Sequence, residues 1–191
     1  MLFATYTYAV FLAVVLPLYA LLPLRGRQIL LLVASYVFYC WETPVYGILI
    51  FASTFLDYLV GLGLARTENP RGRKALLGCS LVGNLGMLGF FKYGDFLGAN
   101  LVGLGHLLGF EGHWAPMGFI LPVGISFYTF QTLSYSIDVY KRQLPAERNL
   151  WTFALYVCYF PQLVAGPIER APHLLPQLCE QHPVLLENLV A

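Results

Sequence analysis

A chain of 191 residues with 58% hydrophobic side chains, 11% charged side chains and a mean hydropathy of +0.66 is too apolar for a soluble domain, which carries about a quarter charged residues. The formal net charge of +1 gives no footing for nucleic-acid binding, and the length leaves room for about five or six membrane crossings. The usual soluble-enzyme signatures are missing: there is no Walker loop, no H-E-x-x-H, no G-x-S-x-G and no dinucleotide fingerprint.

Taken in order, residues 1–6 carry no basic segment, so no cleaved signal peptide is expected. Residues 6–24 form an apolar run long enough to span, followed at once by Arg25 and Arg27. The positive-inside rule puts these arginines in the cytoplasm and the N-terminus outside. Residues 29–41 are apolar but short, ending in an aromatic cluster of Tyr36, Tyr39 and Trp41 suited to a membrane–water boundary. Glu42, Thr43 and Pro44 read as a turn, with Thr43 capping a helix and Pro44 at its first position. That helix is expected over residues 45–65. A basic loop with Arg66, Arg71, Arg73 and Lys74 follows, so two crossings fit between the two basic segments. Residues 75–91 read as a span in which Gly78, Gly83, Gly86 and Gly89 permit close helix packing. Lys92 and Asp95 mark the outer side, and residues 96–110, with Asn100 and His106, read as an interfacial or partly inserted helix rather than a clean crossing. From Trp114 no charged side chain occurs for more than 20 residues, and the chain returns to the cytoplasm at Lys141 and Arg142. A second apolar stretch covers 151–168. Beyond it the chain is amphipathic and loop-like, with prolines at 172, 176 and 183.

The two stretches 121–140 and 151–168 are unlike plain lipid-facing helices. In the first, Gln131, Ser134 and Asp138 recur at helical spacing, with Gly124, Tyr128 and Tyr135 close to the same face; Ile125, Phe130, Leu133 and Ile137 lie opposite. A polar stripe is costly in hydrocarbon and should face a protein interior or a polar cavity. In the second, Pro161 and then Gly166-Pro167 interrupt the helix, and freed backbone groups at membrane depth need protein or water around them. Residues 160–168 therefore read as a broken or re-entrant element beside a cavity.

Individual polar residues have both a structural and a functional reading. Asp57, inside an apolar helix, reads as a structural carboxylate bonded to a neighbouring helix or near the cytoplasmic surface; an intramembrane carboxylate is otherwise a functional candidate. Asp138 is either an interfacial anchor beside Lys141 and Arg142 or part of a cavity mouth. Gln131 and Ser134 either bond between helices or line a substrate tunnel. A general base would most naturally be a histidine, yet His106, His113, His173 and His182 lie in interfacial or loop contexts. Cys40, Cys79, Cys158 and Cys179 form no C-x-x-C and read as small hydrophobes, with no metal site.

The blocks PVGISFYTFQTLSYSIDVY (122–140) and FPQLVAGPIERA (160–171), with STFLDYLVG (53–61) and FFKYGDFLGANL (90–101), resemble the membrane-bound O-acyltransferase family, in particular the bacterial branch that includes the membrane subunit of alginate O-acetylation. The resemblance implies an all-α polytopic transmembrane bundle. Residues 1–191 would be the N-terminal part of one acyltransferase domain, less than half of the family pattern. The family's characteristic histidine lies in a later segment, so no catalytic residue is assigned here and the chain alone is expected to be inactive. Gly124, Ser126, Phe127, Gln131, Ser134 and Asp138 match the first block, and Pro161, Gln162, Gly166, Pro167 and Arg170 match the second; these would help wall the tunnel where donor and acceptor meet. Asp57, Tyr58 and Gly61 match a feature taken as packing. Glu169 departs from the pattern and is expected at the membrane surface, paired with Arg170. The implied donor is an acyl thioester, acetyl-CoA or an acyl carrier, with no bound cofactor. The implied partners are the lipid bilayer, a polysaccharide acceptor such as alginate and an extracytoplasmic acetyltransferase- or esterase-like protein. The expected location is a bacterial cytoplasmic membrane. D-alanyl transfer to teichoic acid is the alternative within the enzyme class; a transporter or a docking scaffold are the alternatives outside it.

Overall fold

The computed structural model describes residues 5–41, 43–110, 112–116, 118, 124–165 and 169–180. Among them are eight helices and no strand: α1 (Tyr6–Leu21), α2 (Leu24–Cys40), α3 (Val45–Arg66), α4 (Pro70–Leu107), α5 (Ile125–Tyr140), α6 (Leu150–Cys158), α7 (Phe160–Ala165) and α8 (Ala171–Cys179). The expectations for residues 1–4, Glu42, 121–123, 166–168, His182 and Pro183 lie outside the described residues.

At the centre, α3, α4 and α5 pack on one another. The short α6 fills the space between them and α2; α1 leans on α2, and α8 closes over α6 and α5. The shared core is aromatic and aliphatic, with Ile50, Tyr128, Tyr135, Phe153 and Tyr156 fully buried. Gly61 sets the closeness of α3 and α5, because a Cβ there would stand 2.7 Å from the Tyr135 hydroxyl, so the packing role expected of Gly61 holds. Of the four α4 glycines expected to tighten packing, only Gly83 does so, against Leu56; Gly78, Gly86 and Gly89 have open space where a Cβ would go.

Among the described residues two helices, α3 and α4, are long and apolar enough to cross a membrane by length and composition; α1 is apolar but shorter, with 16 residues. The structure therefore bears out the all-helical fold but not a count of five or six crossings. Three boundaries differ from expectation for physical reasons. Helix α2 begins at Leu24 and absorbs Arg25 and Arg27 into its first turn. Arg27 is buried there, donating to the Leu22 and Ala20 carbonyls (2.8 and 3.4 Å) at the end of α1 and lying over the Tyr19 ring. Helix α4 is continuous over 38 residues, about 57 Å at 1.5 Å per residue, so no separate interfacial helix exists. Lys92 and Asp95 do not end it because each finds a lateral partner: Lys92 donates to Ser126 (3.2 Å) and Asp95 accepts from the Trp114 indole (3.2 Å). Residues 171–179 are helical where a loop was expected, burying Ala171, Leu174, Leu175 and Leu178 on one face.

Helix ends follow ordinary chemistry. Asn69 and Asn149 cap α4 and α6 by accepting from Arg71 and Trp151 (3.0 and 2.9 Å), whereas Pro44 rather than Thr43 occupies the cap of α3. Helices α4 and α5 end in the same motif, with paired backbone bonds closing over a left-handed residue: Gly109 (φ +83°) in α4 and Arg142 (φ +59°) in α5. The left-handed conformation costs a non-glycine residue about 1–2 kcal/mol. Arg73 secures the ends of two helices at once. Its guanidinium donates to the carbonyls of Leu64 and Thr67 at the end of α3 and of Val139 and Tyr140 at the end of α5.

Candidate functional site

Helix α6 stops at Cys158, Tyr159 leaves the helical conformation (φ −53°, ψ 106°), and α7 restarts at Phe160 with Pro161 in its first turn. The interruption expected from Pro161 is present, at Tyr159, two residues before the proline itself. Proline has no N–H to give to the preceding turn, so the backbone groups around it need other partners. They find them on neighbouring helices. The Phe160 N–H donates to Ser35 Oγ on α2 (3.2 Å), and the Tyr156 carbonyl accepts from Gln131 Nε2 on α5 (2.8 Å). In return the Tyr156 hydroxyl donates to the Gln131 carbonyl (3.3 Å), which also accepts from Ser134 Oγ (2.7 Å). Gln131 Nε2 lies 3.4 Å from Gln162 Oε1 on α7, linking the stripe of α5 to both sides of the break.

Farther along the same face, Asp138 Oδ1 accepts from Arg170 Nη2 at 2.6 Å. The Asp138 side chain is 2% exposed and that of Arg170 is 60% exposed, so the pair joins the interior to the surface at the entrance to α8. This corrects two expectations. Asp138 does not anchor beside Lys141 and Arg142, and Arg170 pairs with Asp138 rather than with Glu169, which is exposed. Arg142 turns away to Glu68. Gln131 Oε1 and Asp138 Oδ2 are buried and make no hydrogen bond among the described residues. The face therefore presents two acceptors with no protein donor.

The structure brings Gln131, Ser134, Asp138, Gln162 and Arg170 together around the broken helix. Gly124 is the turn before α5 (φ +75°), Ser126 takes the Lys92 ammonium, Phe127 packs on the core and Pro161 is exposed. Gly166 and Pro167 lie outside the described residues. The described histidines stand apart: His106 contacts the Gly112 carbonyl, and His113 and His173 are exposed.

The side of α5 opposite this stripe was expected to be apolar. Beside the expected apolar residues, of which Phe130 is exposed, it also carries a second polar face. Thr129, Thr132 and Ser136 point about 150° away from Gln131, Ser134 and Asp138, at about 100° per residue, and they are buried against α3 and α4. There Asp57, fully buried, accepts from Ser80 Oγ, from Ser136 Oγ (2.9 Å) and from Asn84 Nδ2 (2.6 Å). Asn84 Oδ1 in turn accepts from Ser53 (2.6 Å) and Thr132 (3.4 Å). Both carboxylate oxygens are satisfied, so the structural reading of Asp57 holds: it pins α3, α4 and α5 in one rotation. The signal for this cluster was in the sequence as polar pairs four residues apart in apolar helices, Ser80 with Asn84 and Thr132 with Ser136.

The arrangement can do two things chemically. It holds an interrupted helix in the protein interior without leaving its freed backbone groups bare, and it borders that interruption with amide, hydroxyl and carboxylate groups. Among the described residues it contains no histidine beside these groups and no cluster of metal-binding side chains.

Comparison with known proteins adds an independent finding. The chain is 41% identical over 168 residues to a protein of Azotobacter vinelandii named "Probable alginate O-acetylase AlgI", covering 87% of this chain and 34% of the relative. It is 31% identical over 192 residues to the "Peptidoglycan O-acetyltransferase" of Helicobacter pylori, covering 88% of this chain and 35% of that protein. It is 27% identical over 117 residues to the "Teichoic acid D-alanyltransferase" of Lacticaseibacillus rhamnosus, covering 53% and 28% of the two chains. The chain spans about a third of the length of the curated relatives it matches. No family model and no solved structure matches it.

Proposed function

This chain belongs to the membrane-bound O-acyltransferase family, on its alginate O-acetylase side, and from that premise we propose that it forms part of a membrane-embedded O-acetyltransferase acting on a cell-surface polysaccharide such as alginate. The observation that carries the proposal is the identity with the alginate O-acetylases across 87% of the chain. The broken helix with its polar lining is compatible with it, because irregular backbone at membrane depth is tolerated only inside protein or beside a water-filled cavity.

In the proposed reaction the acceptor hydroxyl oxygen attacks the carbonyl carbon of an acetyl thioester. The C–O bond forms, the C–S bond breaks, and the thiol leaves with the proton taken from the hydroxyl. A histidine, implied by the family resemblance and not assigned among these residues, relays that proton, taking it from the hydroxyl and giving it to the departing thiolate. The residues of this chain supply the wall. Gln131, Ser134 and Gln162 line the break, and Asp138 with Arg170 stands at its surface end.

The orientation follows from charge. Of the eleven Lys and Arg residues, all but Lys92 cluster around one end of the helices, the end where α3 and α5 stop and α2, α6 and α8 start. The positive-inside rule makes that end cytoplasmic and sets the start of α1 outside, in a bacterial cytoplasmic membrane. The thioester donor then enters from the basic end, and an extracytoplasmic partner receives the group on the other side.

The test is genetic and chemical. Deleting the gene should remove O-acetyl groups from the extracellular polysaccharide, and restoring the intact gene should return them. An unchanged O-acetyl content would overturn the proposal. D-alanyl transfer is the second reading, favoured by the match to a teichoic acid D-alanyltransferase. Feeding labelled acetate and labelled D-alanine separates the two by which label enters the envelope polymer.

A further inference from the structure

On the α3 and α4 side of α5, away from the Gln131–Asp138 stripe, lies a pocket of about 460 Å³ between the end of α3 and residues 142–148. Its polar lining is Arg73, Arg142 and Arg148, with Glu68 its one carboxylate, and Leu64 and Pro145 belong to its apolar wall. Arg66, Arg71, Lys74 and Lys141 are exposed on the adjoining helix ends and turn, so the local field is strongly positive. Arg73 is fixed by the four carbonyls it holds, and the Arg148 backbone is tied to α3 by the Tyr58 hydroxyl (2.7 Å) while its side chain is exposed. The frame of the pocket is therefore built in, and its outer cations are available.

Arg142 adds an observation of a different kind. It occupies the left-handed position that closes α5, where α4 uses Gly109. A side chain held at a position that glycine would fill with less strain points to a use for it. Its pair with Glu68 does not account for it, since the two side chains are 63% and 83% exposed and such pairs contribute little.

We propose that this pocket holds the phosphate of an anionic membrane lipid, with Arg142 and Arg148 clasping it and displacing Glu68. The apolar wall at the foot of a cationic rim suits an amphiphile. The pocket lies at the basic end of α3 and α4, the two helices able to span, which on that reading is the level of the lipid headgroups. A soluble thioester donor using the α5 stripe would enter beside Arg170 instead. The proposal rests on the membrane reading and its orientation, not on acyl transfer.

The experiment uses the intact protein in neutral detergent, with phosphatidylglycerol or phosphatidylcholine added as mixed micelles, followed by native mass spectrometry and thermal unfolding. Phosphatidylglycerol should remain bound and raise the unfolding temperature, and phosphatidylcholine should do neither. Arg142→Gly relieves the backbone, so it should unfold no earlier in neutral detergent, yet bind phosphatidylglycerol about fivefold more weakly, the worth of one basic side chain at an anionic surface. Arg148→Gln should weaken binding by a similar factor, and Arg25→Gln, outside the pocket, should not. Equal binding of the two lipids, unchanged binding by both pocket variants, or saturation of the site by millimolar inorganic phosphate in place of lipid would each overturn the proposal.

Discussion

Gln131 and Tyr156 hydrogen-bond each other in both directions. The Gln131 amide donates to the Tyr156 carbonyl at 2.8 Å, and the Tyr156 hydroxyl donates to the Gln131 carbonyl at 3.3 Å. One bond satisfies a carbonyl freed by the broken helix, and the other holds α5 in register with it. The two bonds differ in what their loss leaves behind. Gln131→Leu leaves the Tyr156 carbonyl buried and unpaired and should destabilise the protein by about 1–3 kcal/mol. Tyr156→Phe leaves the Gln131 carbonyl still bonded to Ser134 and should cost about 1 kcal/mol or less. Thermal unfolding of both variants in detergent gives the order; the reverse order would sink this account of the break.

Asp57 accepts three side-chain donors from two neighbouring helices. Asp57→Ala strands all of them in the interior, at about 1–3 kcal/mol for each group left unpaired. Asp57→Asn keeps a carbonyl for the hydroxyls and should retain part of the stability. The check is the folded yield and unfolding temperature of the two variants beside the parent. Near-parental behaviour of Asp57→Ala would show that the cluster does not hold the helices.

The glycines of α3 and α4 should separate cleanly. Gly61→Ala pushes a methyl against the Tyr135 hydroxyl and should destabilise by about 1–3 kcal/mol. Gly78→Ala and Gly86→Ala meet open space and should be neutral or stabilising by up to about 1 kcal/mol through helix propensity. Unfolding temperatures of the three single variants test this.

Asp138 and Arg170 should be coupled. A double-mutant cycle with Asp138→Asn and Arg170→Gln is expected to give about 1 kcal/mol, held down by the exposure of the guanidinium. The same cycle with Glu169→Gln in place of Asp138→Asn should give no coupling. Coupling of Glu169 instead would contradict the pairing.

The outlines of the site were legible because its chemistry is local. Spacing along one helix put Gln131, Ser134 and Asp138 on one face, and a proline in an apolar run gave the break. What was not legible depended on partners distant in sequence. Lys92 and Asp95 read as the end of a span, yet both stay exposed on a helix that runs on, hydrogen-bonded to Ser126 and Trp114. Thr132 and Ser136 read as unremarkable helix residues until Asp57 and Asn84, on other helices, give them a purpose. Arg170 read as the partner of its neighbour Glu169, and only packing of α8 against α5 brings it to the distant Asp138.

The central claim is acyl transfer, and its most direct measurement is reconstitution. The intact protein in sealed vesicles would be given a labelled acetyl thioester on its basic side and an alginate acceptor, with the proposed extracytoplasmic partner, on the other. The account predicts labelled acetyl ester on the polysaccharide, in an amount that falls when Gln131→Leu disturbs the break. Vesicles that take up the donor or a solute without forming any ester would contradict it and turn the polar, broken helix into part of a transport path.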